Sequence, residues 1–209
     1  MTALIIKIIL SYLLGSVSGS LLLGKFRKVD IRDQGSGNAG GTNAFRTQGL
    51  VFGLGVVIID VSKGFIATRW ISSMDFGGSL VAVEPVLLMM ICGFAAVLGH
   101  CFPIWHGFRG GKGAATLVGA LMVIEPWLLL PLAITWLLTL VLTGYVGLST
   151  VFAGFSLVPA AWWLNNHVLV IFSAMLALFL LFTHRENMRR LRNGTENRFE
   201  RARLFSRKH

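Results

Sequence analysis

Charged residues are scarce in this chain of 209 residues, where Asp, Glu, Lys and Arg together make up only 13% of the sequence. Soluble domains carry about a quarter charged residues, so this scarcity excludes an ordinary soluble domain. Hydrophobic residues account for 55%, and the mean hydropathy is +0.72. The apolar runs are continuous rather than alternating, which is typical of membrane helices. The sequence therefore predicts an all-α integral membrane protein, built as a single domain over residues 1–209.

Cysteine is nearly absent, since the chain has only Cys92 and Cys101. Cys92 lies within an apolar run and Cys101 just beyond its end, which is not the pattern of a disulfide framework. The group formed by His100, Cys101 and His106 lacks the usual spacing of zinc ligands. We therefore predict no metal site.

Two common catalytic motifs are also missing. No GxSxG elbow of a serine hydrolase occurs in the chain. Residues 107–112 are one residue short of the GxxxxGK phosphate loop, and Gly113 replaces the Ser or Thr that would hold magnesium. These differences exclude a hydrolase and an NTPase of those types, and we predict no cofactor and no nucleic-acid partner.

Seven apolar segments are predicted to be transmembrane helices. They cover about residues 2–26, 50–71, 86–102, 110–124, 127–143, 148–164 and 168–183. A single helix over the apolar residues 113–142 would be about 45 Å long, which exceeds one crossing of a core about 30 Å thick. Pro126 marks the division, because proline disfavours helix at the residue before it, Glu125.

The cations predict how the chain lies in the membrane. With seven spans, 16 of the 19 Lys and Arg share one face, and the exceptions are Lys7, Lys63 and Arg69. Nine of them follow His184, mostly in a basic tail over about residues 192–209. Because positive residues favour the cytoplasmic side, this face is predicted to be cytoplasmic and the amino terminus to lie outside.

The stretch Gly35–Gly49, with the sequence GSGNAGGTNAFRTQG, differs from the oily segments around it. Its glycines let successive backbone N–H groups turn toward one point, and Arg46 adds a planar, permanently charged fork. This combination suits an oxyanion, most plausibly phosphate. A solvated loop is the alternative reading, because Gly, Ser and Asn are common in loops.

Two further polar stretches lie on the predicted cytoplasmic face, at residues 99–116 and 184–190. Their cations and short polar side chains could converge with those of Gly35–Gly49 on an anion. The candidate residues are Ser36, Asn38, Asn43, Arg46, Lys112, His184 and Asn187.

Asp60 and Lys63 lie three residues apart within the second apolar segment, and so on one helical face. Charges at this depth are costly and usually face the bundle interior in pairs. A structural ion pair and a functional role are both open.

The three polar stretches resemble the motifs of the membrane-bound acyl-phosphate:glycerol-3-phosphate acyltransferases of bacteria. That family carries GSGNxGxTNxxR, matched at residues 35–46, then GHxxPxxxxFxGGKGxAT, matched at residues 99–116, and HRxNxxRL, matched at residues 184–191. Gly41 stands where alanine is usual. Ser149-Thr150 stand where the family often has Ala-Ser, so Thr150 is expected to supply that hydroxyl.

The resemblance implies seven helices in the bacterial cytoplasmic (inner) membrane, with the active site at the cytoplasmic face. It implies transfer of a fatty acyl group from acyl-phosphate to the 1-hydroxyl of glycerol-3-phosphate, without direct use of coenzyme A or acyl carrier protein. The products would be 1-acyl-glycerol-3-phosphate (lysophosphatidic acid) and phosphate, in the first step of phospholipid synthesis. The expected partners are these two substrates, membrane lipids and an upstream enzyme that makes acyl-phosphate.

The resemblance also assigns roles to residues. The expected catalytic residues are Ser36, Arg46, Lys112, His184 and Asn187. The expected substrate-binding residues are Gly37, Asn38, Thr42, Asn43, His100, Gly110, Gly111, Gly113, Thr150 and Glu186. The base could be His184, His100 or the acceptor's own phosphate, and we favour the phosphate because no side chain is obviously poised.

Two other functions are weighed against the enzyme. An organic-phosphate transporter fits the intramembrane Asp60 and Lys63 weakly, but alternating access needs a site near the middle of the membrane. A purely structural protein leaves three donor-rich stretches on one face unexplained.

Overall fold

The computed structural model describes residues 1–76 and 83–199. Within these ranges the ordered elements are helices, and no strand occurs. The chain divides into two compact units, Met1–Glu125 and Pro126–His209. The division falls at the Glu125-Pro126 pair, where the sequence predicts a break between two spans.

The first unit contains six α-helices in its described part. They are α1 (Thr2–Gly15), α2 (Gly19–Arg27), α3 (Gly41–Gln48), α4 (Leu50–Ile66), α5 (Pro85–Cys101) and α6 (Ala114–Ile124). The main packing partners are α1 with α5 and α4 with α6. A π-helical turn, Ala67–Ile71, extends α4.

The predicted first helix is interrupted, which corrects the expectation of one continuous helix. α1 ends at Gly15 and α2 begins at Gly19, with Ser18 as its N-cap. The Ser18 hydroxyl accepts a hydrogen bond from the N–H of Leu21. This N–H would otherwise bond to the carbonyl of Val17 in a continuous helix, so the break leaves that carbonyl available to another donor.

The predicted glycine-rich loop is a loop only in its first half, which is a second correction. Residues 41–48 form α3, which packs along α4 where Gly53 lies against Phe45. Gly, Thr and Asn favour loops over helices, so local composition predicts a loop here. Packing against α4 overrides that preference.

The second unit contains four α-helices in its described part. They are α7 (Leu129–Thr143), α8 (Val146–Trp163), α9 (His167–Thr183) and α10 (Arg185–Arg192). α8 packs against both α7 and α9, and the chain bends by 57° between α9 and α10.

Five helical segments are long and apolar enough to cross a membrane. They are Thr2–Arg27, Leu50–Ile71, Pro85–His106, Pro126–Thr143 and Val146–Trp163. The bent pair formed by α9 and α10 gives a sixth candidate, and α6 is apolar but shorter. These helices confirm an all-helical integral membrane protein in the described ranges, while the count of seven spans and the orientation stay predictions.

Candidate active site

The first loop, residues 28–40 between α2 and α3, is held together by the side chain of Asn43, which is only 1% exposed. Its Nδ2 donates toward the carbonyls of Ile31, Gln34 and Asn38, at 2.9 to 3.0 Å. Its Oδ1 accepts from the N–H of Ser36 at 2.9 Å. The whole amide is therefore used to shape the loop, so the structure places Asn43 as a support for the expected phosphate-binding residues.

Other expected residues of this loop lie nearer the surface. Ser36, Asn38 and Arg46 are partly buried, and Thr42 is exposed in the first turn of α3. Gly37 adopts a left-handed conformation, with φ of 71°. The first loop and α3 therefore present short polar side chains and the cation Arg46 near the surface, while the buried Asn43 holds the loop backbone in place.

Asp60 and Lys63 form a buried ion pair, with 3.0 Å between Lys63 Nζ and Asp60 Oδ1. His100 joins them, since its Nδ1 lies 2.8 Å from Lys63 Nζ and 3.4 Å from Asp60 Oδ1. The ammonium of Lys63 also donates to the carbonyl of Val17 at 2.8 Å, and Asp60 accepts from the N–H of Gly19. The pairing expected of intramembrane charges is confirmed, with a third member that the sequence did not predict.

The Asp60–Lys63–His100 cluster supports the second loop, residues 102–113 between α5 and α6. The N–H of Gly110 donates to the carbonyl of Cys101, and the N–H of Gly111 donates to the carbonyl of His100. A Cβ on Gly111 would collide with Nε2 of His100, so only glycine fits at this approach. The loop is thereby fixed against the end of α5 before the chain reaches Lys112.

Lys112 follows directly and is partly buried, and Gly113 is the N-cap of α6, with φ of 89°. The fourth predicted span began at residue 110, whereas α6 begins at Ala114. The difference arises because the φ of 89° at Gly113 is left-handed, so a right-handed helix cannot continue through this residue from residue 110.

Arg32 joins the first loop to the second. Its Nη1 donates to the carbonyls of His106 and Arg109, at 3.2 and 3.4 Å. Its remaining nitrogens form a bidentate pair with Asp30, which includes a contact of 2.6 Å. The hydrogen bonds from Arg32 hold the pKa of the Asp30 carboxyl below its usual value, although partial burial opposes that shift. The sequence showed Arg32 only as one cation in a basic stretch, and no pattern marked it as a bridge.

The third polar stretch lies in the second unit. His184 and Asn187 are both buried, with 6% and 7% of their surfaces exposed. The Nδ1 of His184 lies 2.9 Å from the carbonyl of Leu180. Asn187 packs against Gly147 of α8, where any Cβ would collide with the asparagine side chain.

Thr150 and Glu186, the other expected substrate-binding residues of the second unit, have partners of their own. The hydroxyl of Thr150 bonds to the carbonyl of Val146 and lies 3.3 Å from Trp136 Nε1. Glu186 is half-exposed and pairs with Arg189 on the next turn of α10 at 2.8 Å. Among residues 1–76 and 83–199, no group of three or more His, Cys, Asp or Glu side chains has the arrangement of a metal site.

Residues 5–194 match the family described as glycerol-3-phosphate acyltransferase. The chain belongs to this family. The family resemblance carried by the three motifs is therefore confirmed over almost the whole chain, including both loops of the first unit and α10.

Individual relatives agree with this membership. Glycerol-3-phosphate acyltransferase 2 of Bacillus anthracis is 38% identical over 195 residues, which cover 93% of this chain and 98% of the relative. A glycerol-3-phosphate acyltransferase of Listeria monocytogenes serotype 4a (strain HCC23) is 38% identical over 194 residues, covering 92% and 95%.

Solved structures give the same result. The crystal structure of PlsY (YgiH), an integral membrane glycerol 3-phosphate acyltransferase, matches in its glycerol 3-phosphate form with a TM-score of 0.82 and 30% identity. That match covers 95% of this chain and 96% of the other. The lysophosphatidic acid form matches with a TM-score of 0.80.

Proposed function

We propose that this protein transfers a fatty acyl group from acyl-phosphate to the 1-hydroxyl of glycerol-3-phosphate. The observation that carries the proposal is the joining of two donor-rich loops by Arg32, in a chain of the glycerol-3-phosphate acyltransferase family. Both substrates carry a phosphate group, so the site must hold two anions close together. Two polar stretches, with Arg46 in the first and Lys112 in the second, meet that need.

Arg46 and Lys112 are proposed to bind the phosphate groups and to offset their mutual repulsion. The Ser36 hydroxyl supplies a further donor, whereas the N–H groups of Gly37, Gly110 and Gly111 bond to the carbonyls of Gln34, Cys101 and His100 and shape the loops. We assign to Lys112 and nearby N–H groups the stabilisation of the negative charge that develops on the acyl carbonyl oxygen.

The reaction forms one bond and breaks one. The 1-hydroxyl oxygen attacks the acyl carbonyl carbon, and the bond from that carbon to the phosphate oxygen breaks, which releases phosphate. The hydroxyl proton passes to the acceptor's own phosphate in our proposal. This assignment is supported by His100, whose Nδ1 is engaged by Lys63 and Asp60 and which is 3% exposed. Phosphate is a good leaving group, so strong acid assistance is unnecessary.

His184 and Asn187 are proposed to orient the glycerol end of the acceptor. Thr150 of α8 and Glu186 of α10 are proposed as further substrate-binding residues. We further propose seven spans with the amino terminus outside, and an active site on the cytoplasmic face of the bacterial inner membrane. The uneven distribution of Lys and Arg supports this orientation. An enzyme that produces acyl-phosphate would act upstream.

The experiment is an assay of phosphate release by the purified protein in detergent, with acyl-phosphate and glycerol-3-phosphate. We expect release only when both substrates are present. Arg46→Ala and Lys112→Ala should abolish acyl transfer while the protein still inserts and folds, and Lys25→Ala, at an exposed cation, is the control. Normal turnover in both variants would refute the catalytic assignment. Uptake of glycerol-3-phosphate into vesicles without acyl transfer would indicate the transporter instead.

A further inference from the structure

The chain turns back immediately after α10. The N–H of Gly194 donates to the carbonyl of Leu191, and the N–H of Thr195 donates to the carbonyl of Arg190. Gly194 adopts a left-handed conformation at this turn, with φ of 72°. Residues 193–199, which we call the return segment, therefore run back toward the other helices of the second unit.

The far end of the return segment is fixed to the turn between α7 and α8. Arg198 Nε donates to the carbonyl of Thr143 at 3.1 Å, and its guanidinium lies 5.1 Å from the ring centre of Tyr145. The N–H of Phe199 donates to the carbonyl of Gly144 at 2.8 Å. The segment is thus held at both ends, which fixes the position of the residues between them.

Glu196 lies between these attachments, and its side chain is only 5% exposed. Its Oε1 accepts from Asn187 Nδ2 at 2.6 Å, and its Oε2 accepts from Arg190 Nε at 2.7 Å. A carboxylate removed from water is costly unless it is paired and hydrogen-bonded, and both of its oxygens are satisfied here. The buried carboxylate bridges two residues one turn apart on α10, one of which is an expected catalytic residue.

The contact determines which way the amide of Asn187 points. An ionised carboxylate only accepts hydrogen bonds, so the amide nitrogen must face Glu196. Rotation of the amide would place two oxygens against each other in a buried position. Gly147 packs closely on the same side chain and limits its other movements.

We propose that Glu196 is a positioning residue that holds the Asn187 amide so that its oxygen, and not its nitrogen, is presented to a hydroxyl of the polyol acceptor. The inference rests on the proposed function, in which Asn187 orients glycerol-3-phosphate. An amide oxygen accepts a hydrogen bond from an O–H donor, which suits a glycerol hydroxyl and does not suit a phosphate oxygen. Asn187 therefore selects the hydroxyl end of the acceptor.

The test compares Glu196→Ala and Glu196→Gln in the phosphate-release assay, with glycerol-3-phosphate varied. Loss of the carboxylate removes the acceptor that orients the amide, so Glu196→Ala should lower kcat/KM for glycerol-3-phosphate about 10- to 100-fold, the cost expected of a misplaced orienting group. KM for acyl-phosphate should stay unchanged. Glu196→Gln keeps an oxygen that accepts from Asn187 and should retain more activity than Glu196→Ala. Asn197→Ala, at the exposed neighbouring position, is the matched control.

A double-mutant cycle separates positioning from general stability. If Glu196 acts through Asn187, then adding Glu196→Ala to Asn187→Ala should lower the remaining activity less than about twofold. An equal loss in both backgrounds, or wild-type kinetics for Glu196→Ala, would overturn the inference. Failure of the proposed function is a different result, because the wild-type protein would then release no phosphate with both substrates present.

Discussion

The two loops of the first unit are held by different chemistry. The first loop depends on a neutral amide of the helix that follows it, since Asn43 of α3 bonds to backbone groups of residues 31–38. The second loop depends on charges that come from outside it, because His100 at the end of α5 is paired with Asp60 and Lys63 of α4. One support is local in the chain and the other joins separate helices.

This difference has a physical basis. An amide is moderately costly to bury and can bond to neighbouring backbone groups, so a short stretch of chain can assemble around it. Buried charges are far more costly and must be paired, so the ionic support exists only after α4 and α5 have packed. The second loop should therefore be more sensitive to errors in helix packing than the first.

The largest effect is expected at Lys63. Lys63→Met leaves Asp60 buried without its cation and His100 without its nearest partner, and breaking a buried pair in this way costs about 3–5 kcal/mol. We expect a strong fall in thermal stability in detergent and loss of acyl transfer. Lys25→Met removes an exposed lysine and should leave both nearly unchanged. A Lys63→Met protein as stable as the wild type would contradict the comparison.

The double variant Asp60→Asn, Lys63→Met sharpens this result, because it replaces both charges at once. Neutral replacement of a buried pair is much less costly than removal of one partner. We expect thermal stability to recover in large part while activity stays low, since His100 and the second loop are no longer held. Full recovery of activity would show that the cluster only stabilises the fold.

A smaller effect is expected from Asn43→Ala. This change removes the amide that bonds to the carbonyls of Ile31, Gln34 and Asn38 and to the N–H of Ser36, at a cost of about 1–3 kcal/mol. The structural change should stay within the first loop. We therefore expect a clear rise in KM for glycerol-3-phosphate with only a small fall in the melting temperature. Gln48→Ala is the matched control, because it removes a partly buried amide whose bond to the Gln34 side chain lies at the surface. If Asn43→Ala and Gln48→Ala changed KM equally, the proposed role of Asn43 as the support of the first loop would be contradicted.

The smallest effect is expected at the pair that joins the loops. The pKa of Asp30 is lower in the folded protein than when unfolded, so the pair stabilises the fold fully above the ordinary pKa of the carboxyl. That stability is lost as pH falls through the ordinary value to the lowered one. Because both side chains are partly exposed, solvent screening limits the gain to less than about 1 kcal/mol.

Melting temperatures of the wild type and Asp30→Asn should therefore differ at about pH 6 and converge toward about pH 3. Asp33→Asn, at an exposed neighbour, provides the comparison. If the difference in melting temperature between the wild type and Asp30→Asn grew on acidification, the expected pH dependence would be wrong.

Most of the helices follow from the sequence because a membrane core demands long apolar runs. The break at Glu125-Pro126 and the ends of α8 and α9 lie within about two residues of their predicted positions. The break after Gly15 was missed, because Ser16 and Ser18 are compatible with a membrane helix. The break depends on Lys63 and Asp60 of α4, which bond to the backbone groups of Val17 and Gly19. No local sequence pattern shows these long-range partners.

The site was predicted less completely than the fold. The motifs identified both loops and α10, but they did not show that Asn43 faces inward, that His100 joins Asp60 and Lys63, or that Glu196 contacts Asn187. Each of these facts is a long-range or orientational contact between ordinary polar residues. Glu196 was also hard to recognise because it lies within the basic tail, of which residues 200–209 are outside the described part of the chain.

The hydrogen bond from Lys63 to the carbonyl of Val17 has a consequence for biogenesis. Insertion of an unpaired lysine into lipid is strongly disfavoured. The carbonyl oxygen that accepts the hydrogen bond from Lys63 belongs to the preceding hydrophobic segment. The amino-terminal segment is therefore expected to assist the insertion of residues 50–71 by supplying this hydrogen-bond acceptor. Asp60 already neutralises the lysine from within residues 50–71, and the earlier hydrophobic segment completes the hydrogen bonding of both charges.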